Sequence, residues 1–249
     1  PQSKIDNNIN FRNIIINGDM SIAQRGTSFT GLTNGNNSEY TLDRFNFSES
    51  GSESFVFTLS QSTDVPSGQG FSNSLKYLVT TADTSLDSLG GVALNYRIEG
   101  QNLQYLAKGT SNAKKLTLSF WFKSSLTGTY IAELFDKDNN RTISKAYTVN
   151  TANTWEKKTI TFDADTTGTI DNDNARSMDL TFWFSAGSGY QSGTLQTSWG
   201  TTTTANRVVG QVDWSATANN ELYITGIQLE AGETASDFEF LPVDVNLQR

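Results

Sequence analysis

Two five-residue stretches, Leu118-Ser119-Phe120-Trp121-Phe122 and Leu180-Thr181-Phe182-Trp183-Phe184, carry the side chains best suited to holding a ligand. Successive side chains of a strand alternate faces, so a pattern that buries Leu and both Phe turns each Trp the other way. A Trp outside the core demands a cover: a sugar ring, a loop or a second subunit. Ser119, Lys123 and Thr181 share the Trp side and bring the polar groups a shallow cleft needs. One reading makes Trp121 and Trp183 a sugar platform on the concave face of one sheet. The other packs them under a long loop or against another subunit, as large aromatics at interfaces do.

Bond-cleaving chemistry has fewer candidates. Glycoside hydrolysis needs two carboxyl groups flanking the bond, and nothing in the sequence pairs the strand carboxylates Glu99, Glu133 and Asp179. The chain has no His and no Cys. That removes the usual neutral-pH base, the usual zinc ligands and His-dependent nucleophile relays. A Ser or Thr nucleophile is left with only Lys or a carboxylate as its base. Asp136-x-Asp138-Asn139 and Asp171-x-Asp173-Asn174 are oxygen-rich but lack the Gly and distant Glu of a calcium loop. Side-chain-to-backbone bonds in hairpin turns use the same residues. The expectation is a non-enzymatic binding protein with no catalytic residue, no cofactor and no metal.

Period-2 alternation dominates the elements that would position these residues. Strands are expected at 12–16, 21–24, 40–47, 54–60, 74–80, 92–99, 116–123, 129–135, 142–149, 156–162, 178–185, 207–212 and 221–229. Gly, Asn, Asp and Ser clusters separate most of them. Phe55, Phe57 and Leu59 share one side of their strand, and Val92, Leu94, Tyr96 and Ile98 share one side of theirs. One or two helical turns are expected over 99–106, and the stretch between Tyr190 and Val208 reads as an exposed excursion at one end. A dozen such strands define an all-β fold, a jelly-roll β-sandwich of two antiparallel sheets.

Composition narrows the partners. The 249 residues carry a net charge of −8, from 18 basic and 26 acidic side chains, which offers no cationic footprint for a nucleic-acid backbone or anionic lipid. No segment approaches the roughly 20 apolar residues that cross a bilayer, and the start has no apolar leader run. Neither nucleic-acid binding nor membrane insertion is expected.

Three motifs carry a resemblance. Asn13-Ile14-Ile15-Ile16-Asn17-Gly18-Asp19-Met20, the stretch from Leu116 through Trp155 to Phe162, and Leu222-Tyr223-Ile224-Thr225-Gly226-Ile227-Gln228-Leu229-Glu230 resemble carbohydrate-binding-module jelly rolls of the xylan- and glucan-binding type. The fuller opening, Asn17 to Ser28 with Tyr40-Thr41-Leu42-Asp43-Arg44-Phe45, is similar to virion structural proteins of tailed phages. The resemblance implies a virion-surface location and, as partners, other virion proteins, a homo-oligomer (a trimer) and host cell-surface glycan. It implies a tail-fibre or receptor-binding component, with a capsid decoration protein that clamps the shell as the alternative. A polysaccharide-active enzyme or its accessory module is the reading from another class. Sugar-binding modules of this type commonly hold a calcium ion between a carboxylate after the opening motif and an Asp in the closing strand. Ser21 and Thr225-Gly226 stand at those positions, with Asp19 nearby, so no calcium of that type is expected.

The expected layout is an N-terminal arm over 1–12, the sandwich over 13–242 and a C-terminal tail over 243–249. The aromatic stretch Phe238-Glu239-Phe240-Leu241-Pro242 is expected to fold back over a sheet edge.

Overall fold

A computed structural model describes residues 12–36 and 39–248. The expected arm therefore lies outside the described residues except for Arg12.

Two six-stranded antiparallel sheets pack face to face as a jelly-roll sandwich. Sheet A has the order β1 (Ser28–Leu32), β3 (Val56–Ser62), β4 (Ser74–Thr81), β12 (Glu221–Ala231), β6 (Leu116–Ser124), β9 (Glu156–Phe162). Sheet B has the order β11 (Gly200–Thr201), β8 (Arg141–Val149), β7 (Gly128–Asp136), β10 (Arg176–Ala186), β5 (Gly91–Glu99), β2 (Phe45–Ser50). Alternation explains the layering: Phe57, Leu59, Phe120 and Phe122 of sheet A and Phe45, Leu94, Phe182 and Phe184 of sheet B are fully buried between the sheets. Burying each such side chain contributes about 1.5–3 kcal/mol. Trp214, on a 3₁₀ turn (Trp214–Ala216), stacks on Phe57 at 5.7 Å and closes one end of this core.

The twin Phe-Trp-Phe strands are β6 and β10, one in each sheet. They lie across the core from one another, Phe120 edge-to-face on Phe182 at 5.0 Å and Phe122 stacked with Phe184 at 6.3 Å. Trp121 and Trp183 consequently stand on opposite outer faces of the sandwich. This corrects the expectation that both share one sheet face: alternation tells which side of a strand a residue occupies, not which sheet the strand joins.

Three expected strands are not strands. Residues 12–16 run beside β12, but the Asn13 side chain makes much of the contact, donating to the Ile227 carbonyl (3.1 Å) and accepting from the Ile15 and Leu229 amides (both 3.0 Å). Residues 21–24 are held by Asn17, whose amide donates to the Ile22 carbonyl and accepts from the Ile22 amide. Gly18 passes so close to β12 that a Cβ would sit 2.1 Å from the Ile227 oxygen, which explains the Asn-Gly pair. Over 207–212 the Gln211 side chain stands in for a strand, accepting from the Ile131 amide (2.8 Å) and donating to the Phe184 carbonyl (3.1 Å).

The helical expectation over 99–106 is met by two 3₁₀ turns, Gly100–Asn102 and Gln104–Leu106. A short helix α1 (Ser188–Gln191) opens the excursion after β10, and α2 (Val243–Gln248) occupies the expected tail. No helix among the described residues is long and apolar enough to cross a membrane.

Candidate binding face

The outer face of sheet B is built in rows by strand register. Ser48, Ala93, Trp183 and Ile131 form one row; Asn46, Asn95, Thr181 and Glu133 the next; Arg97, Asp179 and Phe135 the third. The excursion folds over the first row rather than standing free at one end: Tyr190, Leu195 and Val208 pack with Ala93, Ile131 and Trp183, leaving Trp183 7% exposed. Tyr190 meets Trp183 at 5.1 Å.

Charges on this face are paired in place. Arg207 comes down from the excursion onto Glu133 with two bonds of 2.8 and 2.5 Å, while its guanidinium carbon lies 5.3 Å from the Trp183 ring centroid and 5.6 Å from Tyr190. Burial opposes the charge on Arg207, yet the attraction of Glu133 holds its pKa above the ordinary value. Arg176 grips Asp179 with both carboxylate oxygens engaged. Burial dominates at Asp179 and raises its pKa despite that partner. Two fully or nearly buried carboxylates, each clamped bidentately, are held as ion pairs. Glu99, the third expected carboxylate, accepts from Gln101 at 2.7 Å.

A 210 Å³ cavity opens on these rows, lined by Glu49, Asn95, Asp179, Thr181, Trp183 and Arg207. Two of its polar atoms, Trp183 Nε1 and Asn95 Oδ1, are buried with no hydrogen-bond partner. Both amide atoms of Asn46, the neighbour of Asn95 across the β2–β5 register, are in the same condition. Leaving such groups unsatisfied costs about 1–3 kcal/mol each, so an unpaired donor and acceptor beside one cavity are features a ligand's hydroxyl groups can satisfy. Burial and the nearby Glu53 charge push the Glu49 carboxyl up to about 7.

Arg176 also lines a second, larger cleft of 550 Å³, where the opening segment, the turn before β2 and α2 meet at the end of the sandwich. Tyr40, Arg25, Arg44, Arg97 and Asp43 line it. The guanidinium carbons of Arg25 and Arg97 lie 5.5 and 6.0 Å from the Tyr40 ring centroid.

Of the expected site residues, Trp183 and Thr181 belong to this face; Trp121, Ser119 and Lys123 lie on the outer face of sheet A. There Trp121 and Ser119 line a 190 Å³ groove with Phe71, Phe238 and Phe240. The aromatic tail does fold back: Phe238 and Phe240 meet Phe71 at 5.1 and 5.0 Å. Lys123 is engaged elsewhere, 2.5 Å from Asp64 Oδ2 and 4.8 Å from the Tyr223 centroid. Burial works against the Asp64 charge, but the donors Lys123 and Trp155 Nε1 outweigh it and hold the carboxyl below its ordinary pKa. The two hydroxyls weighed above as calcium positions are engaged within the chain: Thr225 donates to the Asn73 carbonyl (2.7 Å) and Ser21 donates to Asp19 (3.1 Å). Among the described residues no group of three acidic, His or Cys side chains is placed to hold a metal.

Arg97, Asn95, Arg176, Arg207, Tyr40 and Tyr190 are not among the expected site residues. Alternation on β5 already places Asn95 and Arg97 opposite the core set Leu94 and Tyr96. Arg207 sits in an irregular segment, where no pattern signals its position.

The chain is thus an all-β jelly-roll sandwich with an aromatic, arginine-lined groove on one outer face. No protein-family model and no curated protein sequence matches it. Solved structures similar to it include the enzymatically active domain of tailspike protein 4 of bacteriophage CBA120, at 14% identity and a TM-score of 0.43. That match covers 81% of this chain, and the chain spans only 21% of that structure's length. Also similar are a family 11 carbohydrate-binding module from Clostridium thermocellum in complex with a mixed-linked tetrasaccharide (13% identity, TM-score 0.41, 84% of this chain and 99% of that one) and a xylan-binding domain from Paenibacillus barcinonensis (16%, 0.36, 82% and 98%).

Proposed function

We propose that the chain is a non-enzymatic binding module of a phage virion surface, a tail-fibre or receptor-binding component that takes a host cell-surface glycan on the outer face of sheet B. The observation that carries this reading is the pairing of Trp183 Nε1 and Asn95 Oδ1, one donor and one acceptor, buried and unpartnered beside the same cavity. Sugar hydroxyls donate and accept at once and are suited to such a pair. The virion location rests on the opening motif, Asn17 to Ser28. The clamping of Glu133 and Asp179 by arginines supports binding over hydrolysis, because each carboxylate already has its partner.

A glycan array probed with the wild-type protein, Trp183→Phe and Asn95→Ala tests the reading. Trp183→Phe keeps an aromatic ring under Tyr190 while removing the indole N–H, so it should weaken binding while the protein still melts cooperatively. Wild-type protein that binds no glycan, or variants that bind as well as wild type, would overturn it.

Capsid decoration is the second reading, favoured by the aromatic groove around Trp121, where Phe240 remains 49% exposed. Immunolabelling of virions separates the two: label on the tail supports host attachment, and label on the shell supports decoration. The trimeric state is proposed with either reading, and light scattering on the purified chain reports it.

A further inference from the structure

We infer that the glycan this groove takes is anionic, its acidic groups seated in the 550 Å³ cleft around Tyr40. The inference rests on the reading that a glycan occupies this face, and adds the class of glycan.

Half of the arginines in the chain converge on the cleft. Of eight, Arg25, Arg44, Arg97 and Arg176 line it, and no lysine does. The lining carboxylates number two, Asp43 and Glu99, and a third, Asp179, is paired with Arg176 beside the cleft, so four arginines stand against three carboxylates. A chain with a net charge of −8 thus presents a local cationic excess in this cleft. Both lining carboxylates are engaged: Asp43 accepts from the Gln24 amide (2.6 Å) and Arg25 (3.2 Å), and Glu99 accepts from Gln101. Planar guanidinium groups match carboxylate and phosphate oxygens two at a time, which the point charge of a lysine does not.

The positions have separate structural origins. Arg97 faces outward from β5 opposite Asp179 in register, and Arg176 begins β10. Arg25 is 53% exposed at its side chain and stands by Tyr40. Arg44 is exposed, and its backbone has φ +72°, in the left-handed region where Gly or Asn costs less. At about 550 Å³ the cleft has the size of a small-molecule site, typically about 300–1,000 Å³. It adjoins the Trp183 cavity through Arg176, so one chain of sugars can present a ring at one end and an acidic group at the other.

Calorimetric titration with polygalacturonate, poly(glycerol phosphate) and neutral galactan tests the inference, with the two acidic polymers distinguishing a carboxylate from a phosphate source. At least one should bind more tightly than galactan, with affinity that falls as sodium chloride is raised. Arg44→Gln and Arg97→Gln should each weaken that binding about tenfold, whereas Arg44→Lys should retain more of it. If Arg97→Gln fails to fold, Arg44→Gln decides, because that side chain is exposed. Binding of galactan but of neither acidic polymer, or acidic binding untouched by the Arg44 and Arg97 variants, overturns the inference and leaves the groove reading standing. Failure of the wild-type protein to bind any of these polymers or any glycan on an array overturns both.

Discussion

Phe120 and Phe182 meet edge to face at 5.0 Å across the middle of the sandwich, each from the same position of a repeated Phe-Trp-Phe strand. Both are fully buried. Phe182→Ala should cost about 3–5 kcal/mol, because neither sheet can collapse into the space left. A double-mutant cycle with Phe120→Ala should leave a coupling of about 0.5–1.5 kcal/mol, measured by urea denaturation. Simple additivity would show that the two rings do not act on each other.

Arg207 is the counterion of a carboxylate with no access to solvent. Removing it strands Glu133 and takes the cation from the Trp183 ring. Arg207→Met should therefore destabilise by about 3–5 kcal/mol. Arg207→Met with Glu133→Leu should recover most of that loss in chemical denaturation, since the apolar pair leaves no charge unpaired.

Glu49 sets a pH dependence near neutrality. Its carboxyl is pushed from 4.5 to about 7 in the folded protein by burial, with the Glu53 charge adding to it. Between those values the folded state keeps a proton that the unfolded chain has released. The stability from this group is therefore full below pH 4.5 and falls as pH rises towards about 7. Glu49→Gln should flatten that fall and raise Tm above wild type on the alkaline side of the window. Parallel Tm profiles for the two proteins would refute the assignment.

Asn13 joins the opening segment to β12 by donating to the Ile227 carbonyl and accepting from the Leu229 amide, and it also accepts from the Ile15 amide of its own segment. Asn13→Ala leaves two buried amides without that acceptor, at about 2–3 kcal/mol. Faster hydrogen exchange at the Ile15 and Leu229 amides would accompany the loss.

Gly226 has φ +64°, and a Cβ there would stand 2.6 Å from Phe71 Cζ and 3.2 Å from Trp121 Cδ1. Gly226→Ala should cost about 1–3 kcal/mol and displace the rings around the sheet A groove. The difference in tryptophan emission between the protein and its Trp121→Phe variant reports the displacement, and a Trp121 contribution unchanged by Gly226→Ala would exclude it.

Much of the architecture could be read from alternation. The 156–162 strand is β9 residue for residue, and β4 to β8 match to within a residue at either end, because Gly and Asn-rich turns bound them. β1 has no signal in the sequence: its Ser-Phe-Thr-Gly-Leu stretch is largely exposed and carries Gly31 at φ +71°, so it lacks a core stripe. Residues 12–16 and 207–212 look like strands because they are rich in β-branched Ile and Val, yet Asn13 and Gln211 side chains complete the backbone bonding. The outward placement of Trp121 and Trp183 was legible. Their separation onto two faces was not, because sheet membership depends on pairing between distant segments. The groove needed Arg207 to descend from an irregular segment, and no local pattern encodes that.

β12 has a consequence for the order of folding. It occupies the middle of sheet A between β4 and β6, and the residues around Asn13 are bonded to it from more than two hundred positions away. Sheet A therefore cannot close during synthesis until residue 231 has left the ribosome. Until then β4 and β6 expose facing edges that only β12 can bridge, and closing so long a loop makes this the slow, aggregation-exposed step of acquiring the native state.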